Sequence, residues 1–171
     1  AAIMAIERVR KDDIIAVVTY SHAAEVLLPA TKATDKKRLQ TAINKLRAGG
    51  QTALHDGVEK GAQEVSKFLD RNRVNRIVLV SDGLANVGPS TPAELGVLGT
   101  SLGKKNIVVT TIGLGLGYNE DLMTQLAEKS DGNHAFAENA NDLARFFEYE
   151  FGDILSVVAQ EVTVTIIGVE G

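Results

Sequence analysis

RIVLVSDG, Arg76–Gly83, is an apolar run that stops abruptly at a carboxylate. Arg76–Ser81 reads as a strand with both faces covered, because apolar residues fill consecutive positions instead of alternating with polar ones. Asp82 then falls at the strand's carboxyl end, where open α/β sheets place their ligands. Ser81-Asp82-Gly83 reads equally well as a plain turn, since Asp-Gly is common turn chemistry. A second stretch, GGQT at Gly49–Thr52, puts a hydroxyl just after a helix-ending glycine pair. Thr52 belongs to a loop on the same sheet edge, although an N-cap or turn hydroxyl explains it too. A hydroxyl and a carboxylate on one loop surface form an oxygen-only set that suits magnesium.

The elements on either side of this strand alternate in type. Ala1–Val9 carries Ile3, Ile6 and Val9 at helical spacing. DIIAVVTY, Asp13–Tyr20, is a second buried strand. Glu25–Leu28 follows closely enough to form a hairpin, and Pro29 is expected to end it at a sheet edge. A helix from Asp35 places Leu39, Ala42, Ile43 and Leu46 on one side, with Gly49-Gly50 as its exit. The next runs from Asp56 to Leu69, with Val58, Ala62, Val65 and Leu69 inward. Thr91-Pro92-Ala93-Glu94 is a capping box that starts a helix over Pro92–Lys104, with Leu95, Leu98 and Leu102 as its stripe. Asn106–Ile112 is a third buried strand, and a helix from Asn119 stops at Asp131-Gly132. His134–Ala137 is a short strand, and Asn141 is expected to cap the last helix. In the tail, Val162, Val164 and Ile166 alternate with Thr163 and Thr165, the pattern of a strand with one buried face. The fold class that follows is α/β: a three-layer, doubly wound, mostly parallel sheet with helices on both faces and one antiparallel edge strand. Residues 1–158 form one domain, and 159–171 form a tail strand that could open a following β-rich domain.

The chain has 171 residues, of which 44% are hydrophobic, enough for one core. A net charge of −4 carries no nucleic-acid footprint. The basic cluster Lys36-Lys37-Arg38 reads as a solvated helix face. With no cysteine, disulfides, thiolate zinc sites and a cysteine nucleophile are all excluded. No apolar run approaches the about 20 residues that span a bilayer. Gly113-Leu114-Gly115-Leu116-Gly117-Tyr118 invites a dinucleotide reading, but Tyr118 takes the third glycine position and the loop follows a late strand. His22, His55 and His134 read as scattered residues, with no carboxylate at metal-ligand spacing. Asp12-Asp13 and Glu120-Asp121 sit at element starts, where they complement helix ends. There is no G-x-S-x-G elbow, and no nucleophile, base and oxyanion hole assemble, so the chain is not expected to be an enzyme.

Taken in order, DIIAVVTYS, LRAGGQTALHDGV, RIVLVSDGLANVG, NIVVTTIGLGLGYNEDLMTQLAEKSDG and the helix NANDLARFFEYEF resemble the von Willebrand factor type A domain family, in its bacterial and secreted-inhibitor branches. The resemblance covers Ala1 to about Val158 and implies the Rossmann-like fold of that family. It also implies a metal-ion-dependent adhesion site, usually filled by magnesium. The family draws the ligands from an Asp-x-Ser-x-Ser motif after the first strand, a threonine between two helices, and an aspartate after the fourth strand. By resemblance Thr52 is the second of these and Asp82 the third. The Asp-x-Ser-x-Ser motif has no match in this sequence, and the resemblance places it upstream of Ala1, together with a central strand. Upstream residues, a neighbouring chain or the strand of 160–166 are the three ways to fill that place.

The resulting expectation is a metal-dependent protein-binding module, with Mg2+ held by Thr52 and Asp82 and completed by an Asp or Glu carboxylate of a protein partner. Gln51, Gly83 and Leu84 form the contact rim. Without the missing motif, the site would be empty or weakly occupied. An extracytoplasmic location is the one the family resemblance favours. The competing readings are a structural or assembly module that uses the fold without metal, and a nucleotide-binding enzyme.

Overall fold

The computed structural model describes residues 6–7, 9–44 and 50–156. Five strands and five helices lie along them, alternating from the second helix onward: β1 (Ile14–Tyr20), β2 (Ala24–Lys32), α1 (Lys36–Asn44), α2 (Leu54–Ser66), β3 (Arg76–Ser81), α3 (Pro92–Gly103), β4 (Val108–Leu114), α4 (Glu120–Glu128), β5 (His134–Ala137) and α5 (Ala140–Ser156). Strands β3, β4 and β5 form a parallel sheet in that order, and β1 and β2 form a separate antiparallel pair. Arg76 lies opposite Val108 and Ser81 opposite Gly113, so β3 and β4 end together.

Both faces of the parallel sheet are covered. On one side Leu79 and Val109 pack with Leu54 and Val58 of α2, Leu95 and Leu102 of α3, and Leu122, Met123 and Leu126 of α4. On the other, Val78, Val80 and Ile112 meet Leu143, Phe146 and Phe147 of α5. These are the three layers of the expected α/β architecture, and the unbroken apolar strands are what require helices on both sides. Helices α3 and α4 come unusually close, since a Cβ at Gly99 would lie 2.6 Å from the Leu126 carbonyl oxygen.

The β1–β2 pair is joined to this body by packing rather than by a shared ladder. Helix α2 contacts β1, β2 and β3. The Tyr20 hydroxyl at the end of β1 donates to the Val80 carbonyl of β3 at 2.6 Å. Among the described residues, no strand pairs with the edge of β3 that faces β1.

Several boundaries differ from the sequence expectation. Strand β2 runs through Pro29 to Lys32 rather than ending at the proline. Its register slips between Ile15 and Val17, opposite that segment, so the missing N–H breaks no ladder bond. The neighbouring Ala30 N–H donates to the Glu64 carboxylate of α2 at 2.8 Å. Lys67 donates to the same carboxylate, and these two bonds hold Glu64 below the usual carboxylate range. Helix α2 stops at Ser66, which leaves Leu69 exposed in the following loop rather than inward. Strand β4 begins two residues late because Asn106 turns the chain at φ 59°, a conformation asparagine tolerates. Asn139, not Asn141, caps α5 by accepting from the backbone N–H groups of Asn141 and Asp142. The helical spacing of Ala1–Val9 falls mostly outside the described residues, and Gly49 and the alternating strand of 160–166 lie wholly outside them.

One polar cluster crosses the apolar interface under α5. Glu150 pairs with Arg76, accepts from Thr110 Oγ1 at 2.9 Å and accepts from Asn133 Nδ2 at 3.1 Å. Glu150 is buried, so removing it leaves the mostly covered Arg76 guanidinium, its side chain 15% exposed, without its carboxylate. Glu150→Ala is therefore expected to lower the unfolding free energy by about 3–5 kcal/mol in urea titrations. The apolar double replacement Arg76→Met with Glu150→Leu should recover most of that loss, and a double variant as unstable as the single one would contradict this account.

Candidate metal centre

The carboxyl ends of β1 and β3 and the amino end of α2 converge on one edge of the molecule. Asp82 follows the last residue of β3, and its exposed carboxylate takes no hydrogen bond among the described residues. Thr52 precedes α2 by two residues and is half-buried. The two loops are fastened reciprocally: Thr52 N–H donates to Asn86 Oδ1 at 2.9 Å, and Asn86 N–H donates to the Thr52 carbonyl at 3.2 Å. Thr52 Oγ1 lies 3.1 Å from the point a Cβ at Gly83 would occupy, so the threonine hydroxyl stands beside the loop that carries Asp82.

The end of β1 ties both loops to the sheet. Tyr20 bonds Val80, two residues before Asp82, and the Ser21 carbonyl accepts from Ala53 N–H at 2.7 Å, one residue after Thr52. Burial raises the Tyr20 phenol to about 12, so it stays a neutral donor; the Ser81 hydrogen bond opposes this shift and the Asp82 charge adds to it. Of the expected rim residues, Gln51 and Leu84 are exposed and Gly83 is half-buried against Thr52. Asn86 was not among the sequence candidates. It is a polar residue in a loop, and only its pairing with Thr52 distinguishes it.

The glycine-rich loop after β4 has a packing role. The Tyr118 ring lies over Gly113 where any Cβ would collide with it, and it stacks on Phe136 with centroids 6.1 Å apart. Gly117 approaches the Asp82 carbonyl, with a Cβ there only 3.1 Å from that oxygen, so the loop borders the same edge.

A histidine fixes the base of this loop. Thr111 Oγ1 donates to the Met123 carbonyl at 3.1 Å, so it accepts from His134 Nδ1–H at 2.8 Å. His134 Nε2 is then left to accept from the Tyr118 hydroxyl at 3.3 Å. This is a neutral imidazole, and burial lowers its pKa from 6.5, with Glu120 pulling the other way.

A separate group departs from the reading of scattered histidines. His55 Nδ1 lies 4.0 Å from Asp56 Oδ1 and 3.7 Å from Glu59 Oε2, with all three ligand-type atoms within 4.8 Å of one another. The i, i+4 spacing of His55 and Glu59 on one helix was the available signal. Asp56 and Glu59 are exposed on the first turns of α2, where the helix dipole already favours carboxylates.

The von Willebrand factor type A domain model matches residues 3–148. The chain belongs to that family. Among curated proteins, this type A domain is 28% identical over 158 residues to uncharacterized protein YfbK of Escherichia coli K12, a match that covers 92% of the chain and 28% of the relative. The chain thus spans under a third of that relative's length. Among solved structures, von Willebrand factor type A from Catenulispora acidiphila superposes with a TM-score of 0.81 at 19% identity, covering 91% of this chain and 37% of that one. Proximal thread matrix protein 1 from the mussel byssus, described with a zinc-occupied MIDAS motif, has a TM-score of 0.70 at 24% identity, covering 87% and 37%. Both likenesses establish the Rossmann-like fold of the type A domain. No helix among the described residues is long and apolar enough to cross a membrane.

A neutral His134 gives the domain a defined acid response. The folded state holds its pKa below 6.5, so the stability it contributes is full above that value. It is lost as pH falls from 6.5 through the folded pKa. Urea unfolding across pH 7 to about 5 should show this decline. His134→Gln should flatten it, and an unchanged slope in that variant would remove His134 as the cause.

Proposed function

We propose that this type A domain is a metal-dependent protein-binding module in which Thr52 Oγ1 and the Asp82 carboxylate ligate a divalent cation. The observation that carries this reading is the reciprocal Thr52–Asn86 bonding, which holds the hydroxyl against the Asp82 loop while leaving the carboxylate free. Oxygen donors alone favour Mg2+, which keeps several waters and accepts an incoming carboxylate in place of one. The zinc in the mussel protein's motif supports a divalent ion at this kind of site. An Asp or Glu of a protein partner completes the coordination, and Gln51, Gly83 and Leu84 surround the contact.

In the type A family an Asp-x-Ser-x-Ser motif supplies the remaining ligands, and these residues contain no such motif. Two protein ligands leave most of the octahedron to water, so tight binding requires those extra groups. That point also supports the second reading, a metal-free structural or assembly module. Ser21 Oγ and His22 Nδ1 meet at 3.2 Å at the end of β1, but on the exposed surface and with no carboxylate orienting the imidazole among the described residues, so the proposed role is binding rather than catalysis.

The two readings separate in a magnesium titration of the full-length protein followed by calorimetry. Thr52→Ala and Asp82→Ala should each raise the dissociation constant by at least about tenfold. Binding of magnesium that is equal in all three proteins would place the ion elsewhere, and no binding in any of them would favour the metal-free module.

A further inference from the structure

Helix α3 has no charged face. Among its 12 residues Glu94 alone is charged, and its carboxylate accepts from Thr91 in the capping box. Leu95 and Leu102 face the core. Gly96, Gly99 and Gly103 lie against α4, where a Cβ at Gly103 would stand 3.3 Å from the Lys129 carbonyl oxygen. The remaining side, with Ala93, Val97, Thr100 and Lys104 at helical spacing, is left to solvent, and Val97 is 72% exposed. A surface helix normally carries charged residues on its outer side, and one that is apolar all round is normally covered.

Beside that side, α3 and α4 form a groove of about 670 Å3. Gly96 lies in its floor, with Gln125 Oε1 and Lys129 Cγ 3.6 and 3.7 Å from where a Cβ would stand, so the Lys129 stem borders the groove. From Ala93 to Lys104 the helix runs about 16 Å at about 1.5 Å per residue, or about three turns. One end of the groove is basic. Lys104 and Lys105 follow α3, and Lys129 follows α4. None of these three ammonium groups has an ion pair among the described residues, and no acidic side chain lines the groove. The carboxyl ends of the two helices supply about half a negative charge each, so about two of the three positive charges stay uncompensated. They do so in a chain whose net charge is −4.

We propose that the α3–α4 face docks an amphipathic helix of a protein partner, with its aliphatic side on Val97 and its acidic first turn against Lys104, Lys105 and Lys129. A helix of about three turns matches the groove in length. Carboxylates are favoured in the first turn of such a helix by its own dipole, and they meet the lysines when it runs antiparallel to α3. Ala93 and Gly96 carry too little side chain to hold its backbone away. The basic end precedes β4, at the opposite end of the sheet from Thr52 and Asp82, so this contact does not depend on the metal reading.

The test is fluorescence anisotropy of two labelled peptides of about 15 residues, long enough to hold a helix, titrated with the full-length protein. Both carry leucine along one face; one has glutamates in its first turn and the other has lysines there. The glutamate peptide should bind at least about tenfold more tightly at low salt, and the difference should shrink as salt is added. Val97→Glu should weaken its binding at least about tenfold, and Lys104→Glu with Lys129→Glu should reverse the preference. Equal binding of the two peptides, no binding of either, or undiminished binding by Val97→Glu overturns the proposal. Phosphatidylserine vesicles that bind the wild type but not the lysine double variant, with neither peptide bound, would make this a membrane contact instead. A dimer that Val97→Glu converts to a monomer in sedimentation would give the face to a second copy of the chain, and the proposal would be wrong.

Discussion

A strand that is apolar on both faces has to be covered twice, and most of this structure follows from that requirement at β3 and β4. Val78 and Val80 point to one layer and Leu79 to the other, so neither face can be left to water. Parallel pairing of β3 with β4 then demands a crossover helix, and right-handed crossovers place helices where those faces need them. Helices α2, α3 and α4 cover one face and α5 the other. The carboxyl ends of β3 and β4 finish together at Ser81 and Gly113, so the loops that follow them share one edge.

Polar groups inside these layers have partners among the described residues, with Arg76 Nε as the exception. Thr110 and Thr111 are fully buried in β4, and each hydroxyl has a defined role. Thr110 donates to Glu150, and Thr111 links Met123 to His134. Ser130 similarly meets Val109 N–H at 3.0 Å and closes the end of α4. Arg76 is the costly member of this set, since its Nε finds no partner among the described residues while its terminal nitrogen pairs with Glu150. A buried pair of this kind is weak evidence for stability but strong evidence for register, because one turn of slippage in α5 would unpair both charges.

The layer architecture is legible in the sequence wherever one residue type has one physical outcome. Arg76–Ser81 is matched at both ends because an apolar run between polar residues leaves no other boundary. Thr91 and Glu94 form both bonds of the capping box, and Asn119 caps α4 as its side chain requires. Legibility fails where tertiary partners choose among local options. Pro29 is tolerated inside β2 because a bulge removes the need for its N–H and Glu64 takes the neighbouring one. Asn139 and Asn141 are equivalent caps in sequence, and the choice between them is made by how α5 sits on the sheet. The edge itself is partly legible: Thr52 and Asp82 are marked by their position after a helix and a strand. Asn86 and Gly117 are not marked, because their significance lies in which other loop they touch.

The same logic explains why this edge can be both fixed and open. Its backbone groups are bonded across four segments, Tyr20 to Val80, Ser21 to Ala53, Thr52 to Asn86 and Gly115 to Ala137, so the loops have little freedom left to lose. The Asp82 carboxylate and the exposed Leu84 side chain are left out of that bonding. Carboxylates mostly stay at the surface, whereas most leucines go to the core. Here the scaffold satisfies itself through main-chain and asparagine contacts and leaves a charge and an apolar group facing solvent. That division of labour, rigid backbone with uncommitted side chains, is what a recognition surface requires, since the cost of ordering has been met before any ligand arrives.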